Sequence, residues 1–262
     1  MRGSGKRGIV YMLAKTPQPG FVKTRLCPPL DPKQAASLAA ASAADTLTML
    51  TSLTDVVVRL ALDEGSSAGR GDLESAGPAP GHRAAATADL RLVADGLGVP
   101  VVEQGEGDLG VRMAGLLRRG LADGLPTILL GSDAPDLPAG RVADAFQSLE
   151  CVDVVIVPAV DGGYVLIGAR RPLDAMFEID APWSSEQVLE ATLAALGRTD
   201  ATWEMQSPWE DVDDAPALGR LAGRLLTDPV PVPVPGQVTV TVTVAVETVR
   251  LLKRWRKEGV RF

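Results

Sequence analysis

An α/β sandwich, Rossmann-like and three-layered, with a mostly parallel sheet covered by helices on both faces, is the fold class this sequence predicts. Three observations carry the prediction. Short apolar runs rich in Val and Ile, bounded by Gly, Pro or Asp, recur along the chain. Longer stretches with helical periodicity separate them, and strand–helix–strand alternation implies parallel strands joined by crossovers. The chain is 262 residues long and 46% hydrophobic, enough to bury a large core in one main domain.

The strands are expected at 8–14 (GIVYMLA), 55–62 (DVVVRLAL), 99–102 (VPVV), 126–131 (PTILLG) and 153–159 (DVVIVPA), with helices over 31–53, 108–122 and 138–149. Residues 63–88, rich in Gly, Ala, Ser and Pro and without apolar periodicity, read as a flexible surface insertion in a domain spanning 1–227. Residues 228–262 read as a Pro/Val-rich linker, an alternating Val/Thr strand pattern and a basic tail, so removal of the chain after Asp228 is expected to leave the domain folded. Residues 247–262 carry six Lys/Arg against two Glu. The plainer reading of that tail is an appended solvated helix or strand; the sharper one is a basic amphipathic segment that touches an anionic membrane or a protein partner.

Composition excludes several classes. A net charge of −7 and a pI near 4.9 argue against a nucleic-acid-binding surface, so any anion site must be local. The single histidine, His82, lies in a Gly/Pro/Ala-rich stretch and excludes histidine-based metal sites and Ser-His triads. Two distant cysteines, Cys27 and Cys151, suit a reduced cytoplasmic protein, and no apolar run reaches the length that spans a bilayer.

In doubly wound sheets, ligands bind beyond the carboxyl ends of the strands. The stretch AKTPQPGFVKTRL, Ala14 to Leu26, follows the first strand there. Pro17 and Pro19 stiffen it, Gly20 permits close backbone approach, and Lys15, Lys23 and Arg25 bring positive charge suited to a phosphate chain. It lacks the spacing of a P-loop. In PTILLGSDAPDLP an uncharged strand delivers Asp133 to the sheet edge, where a hard carboxylate suits Mg2+ or Mn2+; Asp136 reads as a helix-start residue. In VPAVDGGYVLIG, Asp161 ends a strand, and Gly162 and Gly163 leave room for a ligand before Tyr164, although an Asp-Gly hairpin turn explains the same residues. In WEDVDDAPAL one of Asp211, Asp213 and Asp214 is a candidate helix cap, and Asp213 is the candidate second metal ligand. In EQGEGDLGVRM, Gly107 and its neighbours would admit a nucleobase or ribose beside Arg112, or else form an ordinary loop capped by Asp108. Ser184 and Gln187 have capping-box spacing and read as structural.

In this order the motifs AKTPQPGFVKTRL, QGEGDLGVRM, GSDAPDLP, PAVDGGYVLIG, FEIDAPWSSEQVLEAT and DVDDAPAL resemble a bacterial family of glycosyltransferase-A-like (GT-A) proteins, often labelled arsenosugar-biosynthesis glycosyltransferases, from about residue 8 to 225. The resemblance implies a nucleotide-diphospho-sugar transferase fold with a divalent ion and a nucleotide at the sheet's carboxyl edge. The basic loop is similar to the triphosphate loop of phospholactate guanylyltransferases, and DVDDAPAL is similar to their D-x-D-T-P-E-D-L element. There Asp213 matches the second metal acid and Asp214 replaces the usual Thr. The expectation is therefore nucleotidyl transfer from a nucleoside triphosphate to a small phosphorylated or sugar acceptor, with Lys23 and Arg25 neutralising phosphate charge and Asp161 positioning the acceptor. A glycosyltransferase using a nucleotide sugar is the alternative from the same parts, and a non-catalytic nucleotide-binding regulator the third.

Overall fold

The computed structural model describes residues 5–64, 90–226 and 245–262. Seven strands form one sheet in the order β3-β2-β1-β4-β6-β5-β7. They are β1 (Gly8–Lys15), β2 (Val56–Asp63), β3 (Val101–Glu103), β4 (Thr127–Gly131), β5 (Val154–Pro158), β6 (Tyr164–Ala169) and β7 (Trp203–Met205). β1 pairs in parallel with β2 and β4, as does β2 with β3 and β5 with β7. β6 alone runs against its neighbours β4 and β5, which places the β5–β6 turn at the same edge as the carboxyl ends of β1 and β4.

The helices are α1 (Pro32–Thr51), α2 (90–96), α3 (Leu109–Leu121), α4 (Ala139–Ser148), α5 (Val188–Leu196), α6 (Ala215–Leu226) and α7 (Val246–Lys257). Successive strand residues face opposite layers. Val10 and Met12 point to a core shared with α1, α2 and α4, whereas Ile9 and Tyr11 point to one shared with α3, α5 and a short 3-10 turn, Asp174–Phe177. All five expected strands and all three expected helices are present, within a residue or two of their expected ends.

A third apolar cluster joins α1 to α6 and α7, with Leu38, Leu218, Leu252 and Trp255 at its centre. Only 1% of Trp255 is exposed, so α7 is a packed member of the sandwich rather than a solvated appendage. Its N-terminus is capped from afar: Glu247 N and Thr248 N donate to the Asp45 carboxylate of α1 at 2.9 and 2.8 Å. The insertion expected over 63–88 is strand at residue 63 and lies outside the described residues from residue 65 onward. His82, the Pro-rich linker and the alternating Val/Thr pattern also lie outside the described residues.

Candidate active site

The sheet's carboxyl edge opens into two adjoining lobes of about 860 and 840 Å3 that share Arg25, Leu109, Met113, Tyr164, Trp183, Ser184 and Asp213. The first lobe is floored by the ends of β1 and β4 and rimmed by Lys15, Lys23, Asp108 and Arg112. The second lies over the β5–β6 turn and the segment ahead of α6.

The first lobe rests on a polar staple that the sequence reading passed over. Gln104, just past β3, is buried, and its amide donates to the carbonyls of Ala14 and Ala61 at 3.1 and 3.0 Å. It ties the ends of β1 and β2 together, and a buried amide must find such partners. A polar residue directly after an apolar strand at the binding edge was the available signal. Arg112 is fixed by Asp63 at 2.7 Å and by the Gly107 carbonyl at 2.9 Å. Asp108 accepts from Val111 N at 2.9 Å and caps α3. Arg112 and Asp108 thus line the lobe while serving the local fold.

Pro19 and Gly20 line neither lobe, contrary to their expected ligand role. Gly20, at φ 83°, serves a turn closed by Phe21 N donating to the Gln18 carbonyl. Lys15 and Arg25 are exposed and reach the cleft, as expected.

Lys23 does something else. Its backbone is left-handed, with φ 48°, and its side chain is only 4% exposed. The ammonium lies 2.6 Å from Asp133 Oδ1 and 3.3 Å from Asp213 Oδ1, and donates to the Val212 carbonyl at 2.7 Å. Burial opposes that charge, but the two carboxylates outweigh it and hold the lysine pKa above its usual value. A lysine cation thus sits between Asp133 and Asp213, the two acids expected to hold the metal.

The segment 209–214 delivers the late acids. Trp209 N donates to the Pro158 carbonyl at 2.9 Å and its indole N–H to Asp136 at 3.2 Å, while Val212 N donates to the Asp133 carbonyl at 3.0 Å. Asp136 also holds Arg224 of α6 at 2.7 Å, so its role is structural but not that of a helix-start residue. Asp214 is the α6 cap, accepting from Ala217 N at 2.8 Å. The chain between these anchors leaves Asp211 and Asp213 facing Asp161, and each of the three offers a carboxylate oxygen within 4.8 Å of the others.

Asp161 sits at the tip of the β5–β6 hairpin, with Gly163 N donating to its Oδ1 at 3.1 Å. The hairpin and the site readings of this motif thus coincide. Gly162, expected at the acceptor, has a different duty: it lines neither lobe, its φ is 92°, and an added Cβ would collide with the Glu186 backbone. Gly163 and Tyr164 do line the second lobe. Ser184 and Gln187 form no capping box; α5 starts at Val188 without a side-chain cap, and Ser184 lines both lobes.

The electrostatics match crowded acids. Burial, then Asp161 and Asp213, push the Asp211 carboxyl up to about 7. Burial also raises Asp213, against the pull of Lys23. A set of hard oxygen donors that repel one another fits a divalent ion such as Mg2+ or Mn2+.

Comparison with known proteins accords with this geometry. The family described as "Uncharacterized protein conserved in bacteria (DUF2064)" matches residues 67–185. No curated protein matches the chain. A crystal structure from Desulfovibrio desulfuricans G20, provisionally described as a nucleotide-diphospho-sugar transferase, superposes with a TM-score of 0.73 at 24% identity, covering 96% of each chain. More remote are 4-diphosphocytidyl-2C-methyl-D-erythritol synthase of Anaerococcus prevotii DSM 20548 (TM-score 0.49, 9% identity, 84% of this chain and 100% of that one) and a nucleotidyl transferase of Methanothermobacter (0.49, 11%, 84% and 98%). The described residues therefore share the fold of the Desulfovibrio protein, and residues 67–185 match the DUF2064 family.

Proposed function

We propose that the protein is a divalent-metal-dependent transferase acting on a nucleotide, with the nucleotide in the first lobe and the acceptor in the second. The observation that carries this reading is the acid cluster: Asp161 and Asp211 of the second lobe lie within 4.8 Å of Asp213, which, like Arg25, lines both lobes. A Mg2+ or Mn2+ ion held by these three acids would supply Lewis-acid charge on phosphate oxygens when bound. Lys15 and Arg25 bind the phosphate chain. In this reading Asp161 accepts the hydrogen bond of the acceptor hydroxyl and takes its proton as that oxygen bonds the α-phosphorus and pyrophosphate departs. Two free cysteines accord with a reducing compartment, the cytoplasm, and among the described residues no helix is long and apolar enough to cross a membrane.

One observation favours a second reading. Lys23 is committed to Asp133, Asp213 and a carbonyl, which leaves fewer cations for a triphosphate and suits the diphosphate of a nucleotide sugar. In that case Asp161 anchors a hydroxyl that attacks the sugar carbon, and a nucleoside diphosphate leaves.

Each nucleoside triphosphate and nucleotide sugar, supplied with Mn2+ and an acceptor panel, separates the readings. Pyrophosphate release is expected for nucleotidyl transfer, and nucleoside diphosphate release for glycosyl transfer. Nucleotide binding without turnover across the whole panel would remove both.

A further inference from the structure

The second lobe carries more information about the acceptor than its position does. Among the described residues six carboxylates line it, those of Asp161, Glu186, Glu210, Asp211, Asp213 and Asp214, against two guanidinium groups, Arg25 and Arg220. Arg220 is already paired with Glu210 at 2.6 Å, so these two cancel. Asp213 shares Lys23 with Asp133, so that trio counts as one negative charge; with Asp161, Glu186, Asp211 and Asp214 it stands against Arg25 and at most one divalent ion, an excess of two negative charges. A phosphorylated or carboxylated acceptor entering this lobe would meet a field of its own sign, and like-charge juxtaposition in a partly desolvated site disfavours binding.

The hydrogen-bonding character agrees. Ionised carboxylates only accept, so a ligand that satisfies them must bring O–H or N–H donors. Ser184 and Ser185 add hydroxyls that bond either way. The lining also has apolar groups: Val160 is 64% exposed, and Trp183 is wedged against Gly110 of α3, where an added Cβ would run into its ring. Apolar side chains of this kind suit the C–H groups of a ring-shaped polyol.

We infer that the acceptor is a hydroxyl-rich compound without an anionic group, uncharged or cationic, a sugar or amino sugar rather than a sugar phosphate. This rests on the reading of the two lobes above and narrows it: the reacting oxygen is an alcohol, not a phosphate.

The test uses the full chain with Mn2+ and three probes on one scaffold: glucose, glucosamine and glucose 6-phosphate. Nucleotide binding is first titrated alone, and then each probe is titrated into the nucleotide complex. Glucosamine and glucose are expected to bind at least tenfold more tightly than glucose 6-phosphate, and the glucosamine preference is expected to shrink with added salt. Glu186→Lys, a change at an exposed side chain outside the cluster of three acids, is expected to narrow the gap by raising affinity for glucose 6-phosphate. Equal binding of the three probes, absence of binding included, or tighter binding of the phosphate, overturns the inference while nucleotide binding keeps the two-lobe reading. Failure of the nucleotide itself to bind removes both.

Discussion

Lys23 is held in a left-handed conformation that costs a non-glycine residue about 1 kcal/mol or more, and its ammonium is what makes two nearby carboxylates compatible. Lys23→Met is expected to lower the stability of the metal-free protein by about 1–3 kcal/mol, because it leaves Asp133 and Asp213 facing each other. Mn2+ should then raise the variant's melting temperature by more than it raises that of the wild type; an equal rise would mean that the lysine does not compete with metal for these acids. Asp211 gives a pH signature. Its folded pKa is raised to about 7 from an unfolded value near 3.9, so deprotonation in the fold costs stability that grows as pH rises from about 4 to 7. Asp211→Asn should therefore melt above the wild type at pH 8 without metal, with the advantage fading toward pH 4. Mn2+ binding to the wild type should strengthen up to about pH 7 and then level off, since binding expels that proton. Isothermal titration in buffers of different ionisation heat measures this. Residue type and position made Asp133, Asp161 and Asp213 legible as site acids. They did not show that a lysine from the opening loop would separate the first from the third, because that contact spans 190 residues of chain.

Among the elements, the β5–β6 hairpin and its neighbours carry the site, and one buried acid secures their far end. Asp153, ahead of β5, accepts from Thr202 N at 3.1 Å, Arg170 Nε at 2.9 Å and Arg171, which joins β5, the end of β6 and the entry to β7. The Thr202 N–H and then the two arginines hold its pKa well below the usual carboxylate range, against the opposing effect of burial. A depressed carboxylate stabilises the fold above its unfolded pKa, and that contribution is lost as pH falls below about 4. Asp153→Ala should cost about 2–4 kcal/mol at pH 7 by urea denaturation, and the loss should diminish below pH 4. At the near end, Gly162→Ala should displace the segment around Glu186 through a backbone collision. Weaker acceptor binding with nucleotide binding intact is the expected result, and no change in either would mean that the turn simply yields. Strand and helix positions were readable because apolar period and length report burial of each element against the sheet. β7 escaped because it is three exposed residues whose only strand credential is pairing with β5.

For the whole molecule, the C-terminal helix decides how much chain the domain needs. Trp255 and Leu252 fill the cluster with α1 and α6, and Asp45 caps the helix across 202 residues of sequence. Removal of residues 228–262 is expected to abolish cooperative folding, and Trp255→Ala to cost about 3–5 kcal/mol. A truncated chain that retains a sharp thermal transition would restore a domain boundary near residue 227. Asp45→Ala should cost about 1–2 kcal/mol, read by thermal melting.

The sequence alone determined the layered α/β architecture, the strands that build the binding edge, and the residue types gathered there, since periodicity and composition are local properties of the chain. Only the tertiary structure decided which acids share a cation, which glycines serve packing, and that the basic tail is a helix with one apolar face packed on α1 and α6. Those outcomes depend on contacts between segments far apart in sequence, which local periodicity and composition do not encode.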